Sequence, residues 1–232
     1  MNYFVEYNGV KNSDVNIYAT RPNIPAAIRK NTVYKLPGVD GDLYWHEDAV
    51  EDITIDVKFG FFGPPDKWMD RFRGAKKWLL TKLSGKLVFS DDPEFFYKVK
   101  TVSINTATRT VKTIGEFTAS FVCEGYQYLK SGAYECGMDD VKYNPYSLSK
   151  PVYRITGEGM CNLVVNGKTM TANVGQEIII NTDTMLAYRS NGTLQNTLIS
   201  GDYENLWLVP GENTVSITSG FALKIIPNWR CI

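Results

Sequence analysis

The sequence predicts a mainly β protein in two parts: an N-terminal β-rich domain carrying one α-helix, and a C-terminal β-sandwich. Three observations carry that expectation. Strict apolar–polar alternation recurs, as at 52–59 (DITIDVKF) and 117–123 (FTASFVC). A period of two marks a half-buried strand. A single segment, opened by Pro64-Pro65-Asp66, switches to the three-and-four spacing of a helix. Between 131 and 150 the pattern lapses into SGAYECGMDDVKYNPYSLSK, and beyond it short strands and turns return.

The bulk composition agrees. A chain of 232 residues suits one large or two small domains. Its hydrophobic share of 44% is that of a globular protein with a core. Fourteen Tyr, eleven Phe and five Trp favour strands, where flat side chains pack across a pleated surface. Lys+Arg and Asp+Glu are both 25, so no basic excess points to nucleic acid or an anionic membrane. The start, MNYFVEYNGVKN, has no basic segment and no long apolar run. No signal peptide is expected, and synthesis in a cytosol follows. No stretch approaches the ~18 apolar residues of a membrane span.

In chain order, a first strand is expected around Phe4-Val5-Glu6-Tyr7. The segment 39–56 then holds Asp40, Asp42, Glu47, Asp48, Glu51, Asp52 and Asp56 with no Lys or Arg. The helix follows, with Asp66 expected to cap its free N–H groups and Ser84-Gly85 to close it by a left-handed exit. Trp68, Phe72, Ala75, Leu79 and Leu83 form its apolar stripe, widened by Trp78. Lys67, Arg71, Arg73, Lys76, Lys77 and Lys82 form a basic face. Further strands are expected at 86–89, 97–102 and 177–180. Asn166-Gly167 signals a hairpin turn. The expected division is a domain over 1–130, a linker over 131–150 and a β-sandwich over 151–232.

The stretch 206–217, LWLVPGENTVSI, reads as two antiparallel strands around Pro210-Gly211-Glu212-Asn213, since Pro and Gly suit the two central positions of a tight turn. Trp207 could stack on a sugar, with Asp202, Glu204 or Asn205 binding hydroxyls. Glu212 and Asn213 are also what a turn favours, and a strand tryptophan is more often packed than exposed.

Other chemistry finds little support. Cys123, Cys136, Cys161 and Cys231 contain no CxxC pair and have no histidine nearby, which argues against zinc. A reducing cytosol argues against a disulfide. His46 is the sole histidine, and no phosphate-binding or dinucleotide-binding glycine motif is present. The pairs Asp91-Asp92 and Asp139-Asp140 lie where turns are expected, and adjacent residues on an extended chain point apart. That is unlike the two facing carboxylates of a glycosidase. No catalytic group, cofactor or metal is assigned.

One resemblance orders these motifs. Phe4-Val5-Glu6-Tyr7-Asn8-Gly9 is followed by Leu36-Pro37-Gly38-Val39-Asp40-Gly41-Asp42-Leu43 and the tryptophan-bearing helix. Gly85-Lys86-Leu87-Val88-Phe89-Ser90-Asp91-Asp92-Pro93 and Phe96-Tyr97-Lys98-Val99 come next, then Gly201-Asp202-Tyr203-Glu204 leading into 206–217. In order, spacing and layout, over essentially the whole chain, this resembles the distal tail (Dit) proteins of long, non-contractile-tailed bacteriophages, especially those infecting Gram-positive bacteria. The resemblance implies an N-terminal β-sandwich with one helix and an extended hairpin, forming a homo-hexameric ring around the tail channel. It implies a C-terminal galectin-like β-sandwich over 151–232. It further implies a virion component at the distal end of the tail, a hub rather than an enzyme. Its partners would be the tail tube protein, a tail-tip protein (tail-associated lysin or fibre) and receptor-binding or baseplate proteins.

Galectins grip sugar through His, Arg and Trp, and 151–232 contains no histidine, so that likeness would concern fold alone. On this reading 206–217 completes a wall. In a ring, Asp40, Asp42, Glu51 and Asp52 of one subunit are expected to meet a basic surface of its neighbour, with Arg71, Lys76 and Lys77 on the helix as the candidates. The alternatives are a carbohydrate-binding adhesin using Trp207, Asp202 and Glu204, and a cell-wall hydrolase using a carboxylate pair.

Overall fold

A computed structural model describes residues 3–232. Met1 and Asn2, part of the start expected to lack a signal peptide, lie outside it, as do the side chains of Asp48 and Thr110. The chain is mainly β with one α-helix, as expected, and divides into two units, one running up to Gln127 and including Ile232, the other Tyr128–Cys231.

The first unit contains β1 (Val5–Tyr7), β2 (Val10–Lys11), β3 (Tyr18–Ala19), β4 (Arg29–Lys35), β5 (Asp42–Val50), β6 (Ile53–Phe62), α1 (Trp68–Leu80), β7 (Gly85–Phe89), β8 (Asp92–Ile104), β9 (Thr108–Val111) and β10 (Ile114–Leu129). Its main sheet has the order β2-β1-β7-β8-β10-β6-β3, with β9 also on β10. The alternation that predicted β6 is its burial pattern. Ile53, Ile55, Val57, Phe59 and Phe61 are buried and pair antiparallel with Cys123, Phe121, Ala119, Phe117 and Gly115 of β10. Tyr7 and Phe121 sit on strands that are not neighbours, yet their rings meet edge to face at 5.5 Å. The sheet therefore curls around its own core. The helix stripe closes that core: Trp78 meets Phe59 at 5.6 Å, Trp68 meets Phe61 at 5.3 Å and Phe72 meets Phe117 at 5.8 Å.

Both helix ends differ from expectation. A 3-10 turn, Pro65–Lys67, precedes the α-helix, and neither start carries a side-chain cap, so Asp66 does not cap. The helix stops at Leu80, and Leu83 is 48% exposed rather than part of the stripe. The cause is tertiary. Tyr7 donates to the Lys82 carbonyl at 2.5 Å, and Asn8 accepts from Lys86 N at 3.1 Å. These bonds from β1 and its turn hold 82–84 out of the helix and lead into β7 at Gly85. Gly85 opens β7 instead of closing the helix, and a Cβ there would run into the Asn8 side chain.

The second unit contains β11 (Tyr143–Asn144), β12 (Val152–Val165), β13 (Lys168–Asn181), β14 (Leu186–Tyr188), β15 (Ile199–Ser200), β16 (Gly211–Glu212), β17 (Val215–Ile217), β18 (Ala222–Ile226) and β19 (Arg230–Cys231). The β12–β13 hairpin dominates it, pairing from Val152↔Asn181 to Val165↔Lys168. Its turn is the predicted Asn166-Gly167, with φ of 51° and 78°, the two positive values of a type I′ turn. The core includes Tyr153, Ile155, Leu163, Met170, Ile178 and Leu206.

Two expectations are corrected here. Residues 131–150 are packed into this unit rather than forming a linker. Val141 lies in its core, Cys136 bridges Ile225, Ser147 bridges Arg230 and Ser149 bridges Leu208. Single bridges of this kind leave no periodicity to read. The stretch 206–217 is not a hairpin. Leu208 bridges Ser149, β16 pairs with β11, and β17 pairs with Leu163–Val165 of β12. Its two halves each found a better partner elsewhere in the chain.

The four cysteines are unbridged. Burial pushes the Cys123 thiol up to about 12 and also raises that of Cys161. The thiolate is the nucleophile, so neither should react with an alkylating reagent at about pH 8 in the native protein. Mass spectrometry after labelling should find both modified only once denaturant is added.

Candidate assembly surface

β4 and β5 form a two-stranded sheet of their own, an arm joined at its end by 36–41, where Gly38 and Gly41 take positive φ. The register sets Tyr34 opposite Leu43 and Thr32 opposite Trp45 on one face. Val33 opposite Tyr44 and Asn31 opposite His46 occupy the other. Both faces carry exposed apolar groups: Trp45 is 65% exposed, Tyr44 57%, and Val33, Tyr34 and Leu43 are exposed too. A lone two-stranded ribbon is marginal in water, and a contiguous exposed apolar patch marks an interaction surface.

The acidic residues of 39–56 separate into two groups. Asp40 and Asp42 lie at the arm's end and have no ion-pair partner among the described residues. Glu47 accepts from Thr32 across the arm at 3.1 Å, and His46 Nδ1 lies 2.6 Å from Asn31 Oδ1. Nearer the root, Asp52 takes Lys100 of its own sheet at 2.7 and 2.9 Å, and Asp56 accepts from Ser120. Glu51 is exposed, and its backbone N–H donates to the Ile28 carbonyl at 2.8 Å.

On the helix, Lys76 lies 5.0 Å from the centre of the Phe72 ring and Lys77 is exposed. Arg71 is half-buried and has no carboxylate partner among the described residues. No ion pair among the described residues joins the acidic arm to the helix.

Arg71 belongs to a feature that the sequence did not reveal. Tyr18 and Phe62, 59% and 55% exposed, meet edge to face at 5.3 Å and stand between two clefts. One, of about 500 Å³, is walled by Phe59, Phe61, Phe117 and Ile114. The other, of about 620 Å³, includes Lys11 and Arg71. The doublet Phe61-Phe62 on an alternating strand was the available signal, because one of two adjacent aromatics must point outward.

The sugar candidates take structural places. Trp207 is half-buried between Leu206 and Leu208, both fully buried. The Lys150 ammonium lies 5.2 Å from the centre of its ring and pairs with Asp183 at 3.4 Å. Asp202 and Glu204 accept backbone bonds from Asn205 and Trp207 through their own carbonyls. Asn213 is buried and makes four side-chain bonds. It accepts from Val209 N and Asn166 Nδ2, both at 2.9 Å, and donates to Val209 O at 2.8 Å and Gly211 O at 3.0 Å. Asn213→Ala removes four bonds to part-buried partners and should cost about 2 kcal/mol, read as a lower urea midpoint with the same slope.

The carboxylate pairs are likewise engaged locally. Asp91 pairs with Arg21 at 3.2 Å, and burial raises the pKa of Asp92. Asp139 pairs with Lys142 at 2.7 Å, whose hydrogen bond lowers its pKa, and Asp140 accepts from Gly137 N at 2.8 Å. Among the described residues no group of three or more His, Cys, Asp or Glu is placed to hold a metal, and no helix is long and apolar enough to cross a membrane.

No family model matches the chain, and no curated protein sequence matches it significantly. Solved structures do match. The Dit protein of phage SPP1, described as a paradigm of the hub adsorption apparatus in phages infecting Gram-positive bacteria, superposes with a TM-score of 0.69. The match covers 97% of this chain and 98% of that one at 14% sequence identity. The chain has the fold of that Dit protein from end to end.

Proposed function

We propose that this chain is a hub protein of a phage tail: a structural component of the adsorption apparatus, and not an enzyme. The observation that carries this reading is the fold likeness over nearly the whole of both chains. Fold alone does not fix function. The arm adds support from this chain's own residues, since an apolar ribbon left open on both faces is built for assembly.

In this reading six copies close a ring around the tail channel at the distal end of the virion's tail. The ring joins the tail tube protein to the tail-tip protein and carries receptor-binding or baseplate proteins. Its C-terminal unit is a galectin-like sandwich used as a wall, with Lys150 over Trp207 in place of a stacked sugar. The free carboxylates Asp40 and Asp42 contribute to the contact between subunits, facing basic groups of the neighbour, whereas Asp52 is held by its own Lys100.

The test is immunogold electron microscopy of phage particles encoding this chain, with antibody against the purified protein. Label confined to the distal tail end is expected. Label along the whole tail, on the head or absent from purified particles would overturn the reading.

A further inference from the structure

We propose that the first unit carries a saccharide-binding site, in which one neutral hexopyranose unit lies over Gly60 between Tyr18 and Glu116. This goes beyond the hub reading and does not rest on it.

Gly60 is a glycine that the fold does not need. It lies inside β6, whose pairing with β10 runs without a register shift from Cys123↔Ile53 to Ile114↔Phe62, so no bulge is present there. Gly60 is not among the residues of positive φ. A Cβ on it would meet only the Gly115 carbonyl oxygen, at an ordinary 3.7 Å. A glycine inside a strand weakens it, and where no bulge or bend explains it, the remaining reason is the close approach of a ligand or another backbone.

The surroundings of Gly60 indicate what approaches. Phe59 and Phe61 are buried, so the pleat turns Gly60 outward together with Lys58 and Phe62. The register puts Tyr18 of β3 on one side of Gly60 and Glu116 of β10 on the other. Neighbouring strands lie about 4.8 Å apart, so these two residues stand roughly 10 Å apart across the bare glycine. That gap takes one six-membered sugar ring. All three residues line the cleft of about 500 Å³ beside Phe62.

Tyr18 and Phe62, exposed and edge to face, supply an apolar wall. The opposite rim is polar. Glu116, Thr118 and Asn105 line it, and none of their side chains has a hydrogen-bond or ion-pair partner among the described residues. An aromatic wall facing a polar rim fits a pyranose, which has an apolar C–H face and a girdle of hydroxyls. A carboxylate accepts charge-assisted bonds from hydroxyls, and an amide both donates and accepts. Lys58 and Glu116 are the charged groups of the lining, and their charges cancel, which favours a neutral sugar over an anionic one. A cleft of this size, with an apolar wall and a few convergent polar groups, has the usual form of a small-ligand site.

The test uses the full chain, with the methyl glycosides of glucose, galactose and N-acetylglucosamine as probes, read by saturation-transfer NMR. A Kd of about 1 mM is expected for at least one of them. Gly60→Val should abolish that binding while the thermal melt stays at or above that of the wild type, because a β-branched residue suits a strand better than glycine does. Glu116→Ala should weaken binding about 10-fold, and Tyr18→Ala about 5-fold. Lost binding with an undiminished melt separates a ligand site from a structural glycine. No binding of any probe at about 20 mM, roughly 20-fold above the expected Kd, would overturn the proposal. Binding that survives both Gly60→Val and Glu116→Ala would overturn it too. If Gly60→Val loses its cooperative melt, Glu116→Ala and Tyr18→Ala decide instead. If no sugar binds and Gly60→Val blocks self-association of the chain, a protein backbone covers Gly60, and the saccharide site falls while the hub reading stands.

Discussion

Gly125→Val is expected to dislodge the root of the arm and to abolish assembly. Gly125 lies on β10, and a Cβ there would sit 2.3 Å from the Glu51 carbonyl oxygen and 2.5 Å from Val50 Cγ1. Ala27, on the approach to β4, would be 3.3 Å away. Val50 ends β5 and Glu51 follows it, so the missing side chain is what allows the arm to leave the sheet where it does. Backbone at 2.3 Å cannot yield as a flexible side chain can. Overpacking of this kind costs about 3 kcal/mol. The expected result is a lower urea midpoint together with loss of the oligomer at concentrations where the wild type assembles. Gly125→Ala meets the same carbonyl with less bulk and should show a milder form of both effects. If Gly125→Val melts and assembles like the wild type, the arm is not seated on β10 in this way.

Phe121→Ala is expected to produce the largest purely structural loss. Phe121 is fully buried on β10, faces Ile55 of β6 in register and meets the Tyr7 ring at 5.5 Å. It therefore ties separate strands of the curled sheet together across the core. Removing a buried phenylalanine costs about 4 kcal/mol, from lost transfer energy and the cavity left behind. The loss should appear as a lower urea midpoint for the chain. A drop below about 1 kcal/mol would mean that the sheet closes without this contact.

How far these features were legible depended on whether their causes were local. β6 and β10 were visible because their alternation is itself the record of which side chains enter the core. Asn166-Gly167 was visible because positive φ at two successive positions restricts the residue types. The helix was visible in its middle but not at its end, where Tyr7 and Asn8, distant in sequence, take over the backbone. The stretch 206–217 misled for the same reason. Its local pattern suits a hairpin, yet Gly211-Glu212 and Val215–Ile217 are claimed by β11 and β12.

The candidate surface was half legible. The acidity of 39–56 could be counted, but not that Asp52 is taken up by Lys100 while Asp40 and Asp42 stay without an ion-pair partner among the described residues. Nor could the sequence distinguish apolar residues meant for the chain's own core from those left open for another molecule. Leu43 and Trp45 recur at the same two-residue spacing as Val57 and Phe59. Only the separation of β4–β5 from the main sheet shows which pair is uncovered.

The central claim, that this chain is a ring-forming tail hub, is tested most directly by the mass and symmetry of the purified wild-type protein. Light scattering over a dilution series, followed by electron microscopy of the heaviest species, reads both. Six times the mass of one chain, in closed rings with six-fold symmetry, is the predicted result. A mass that remains that of one chain up to the highest soluble concentration would contradict it.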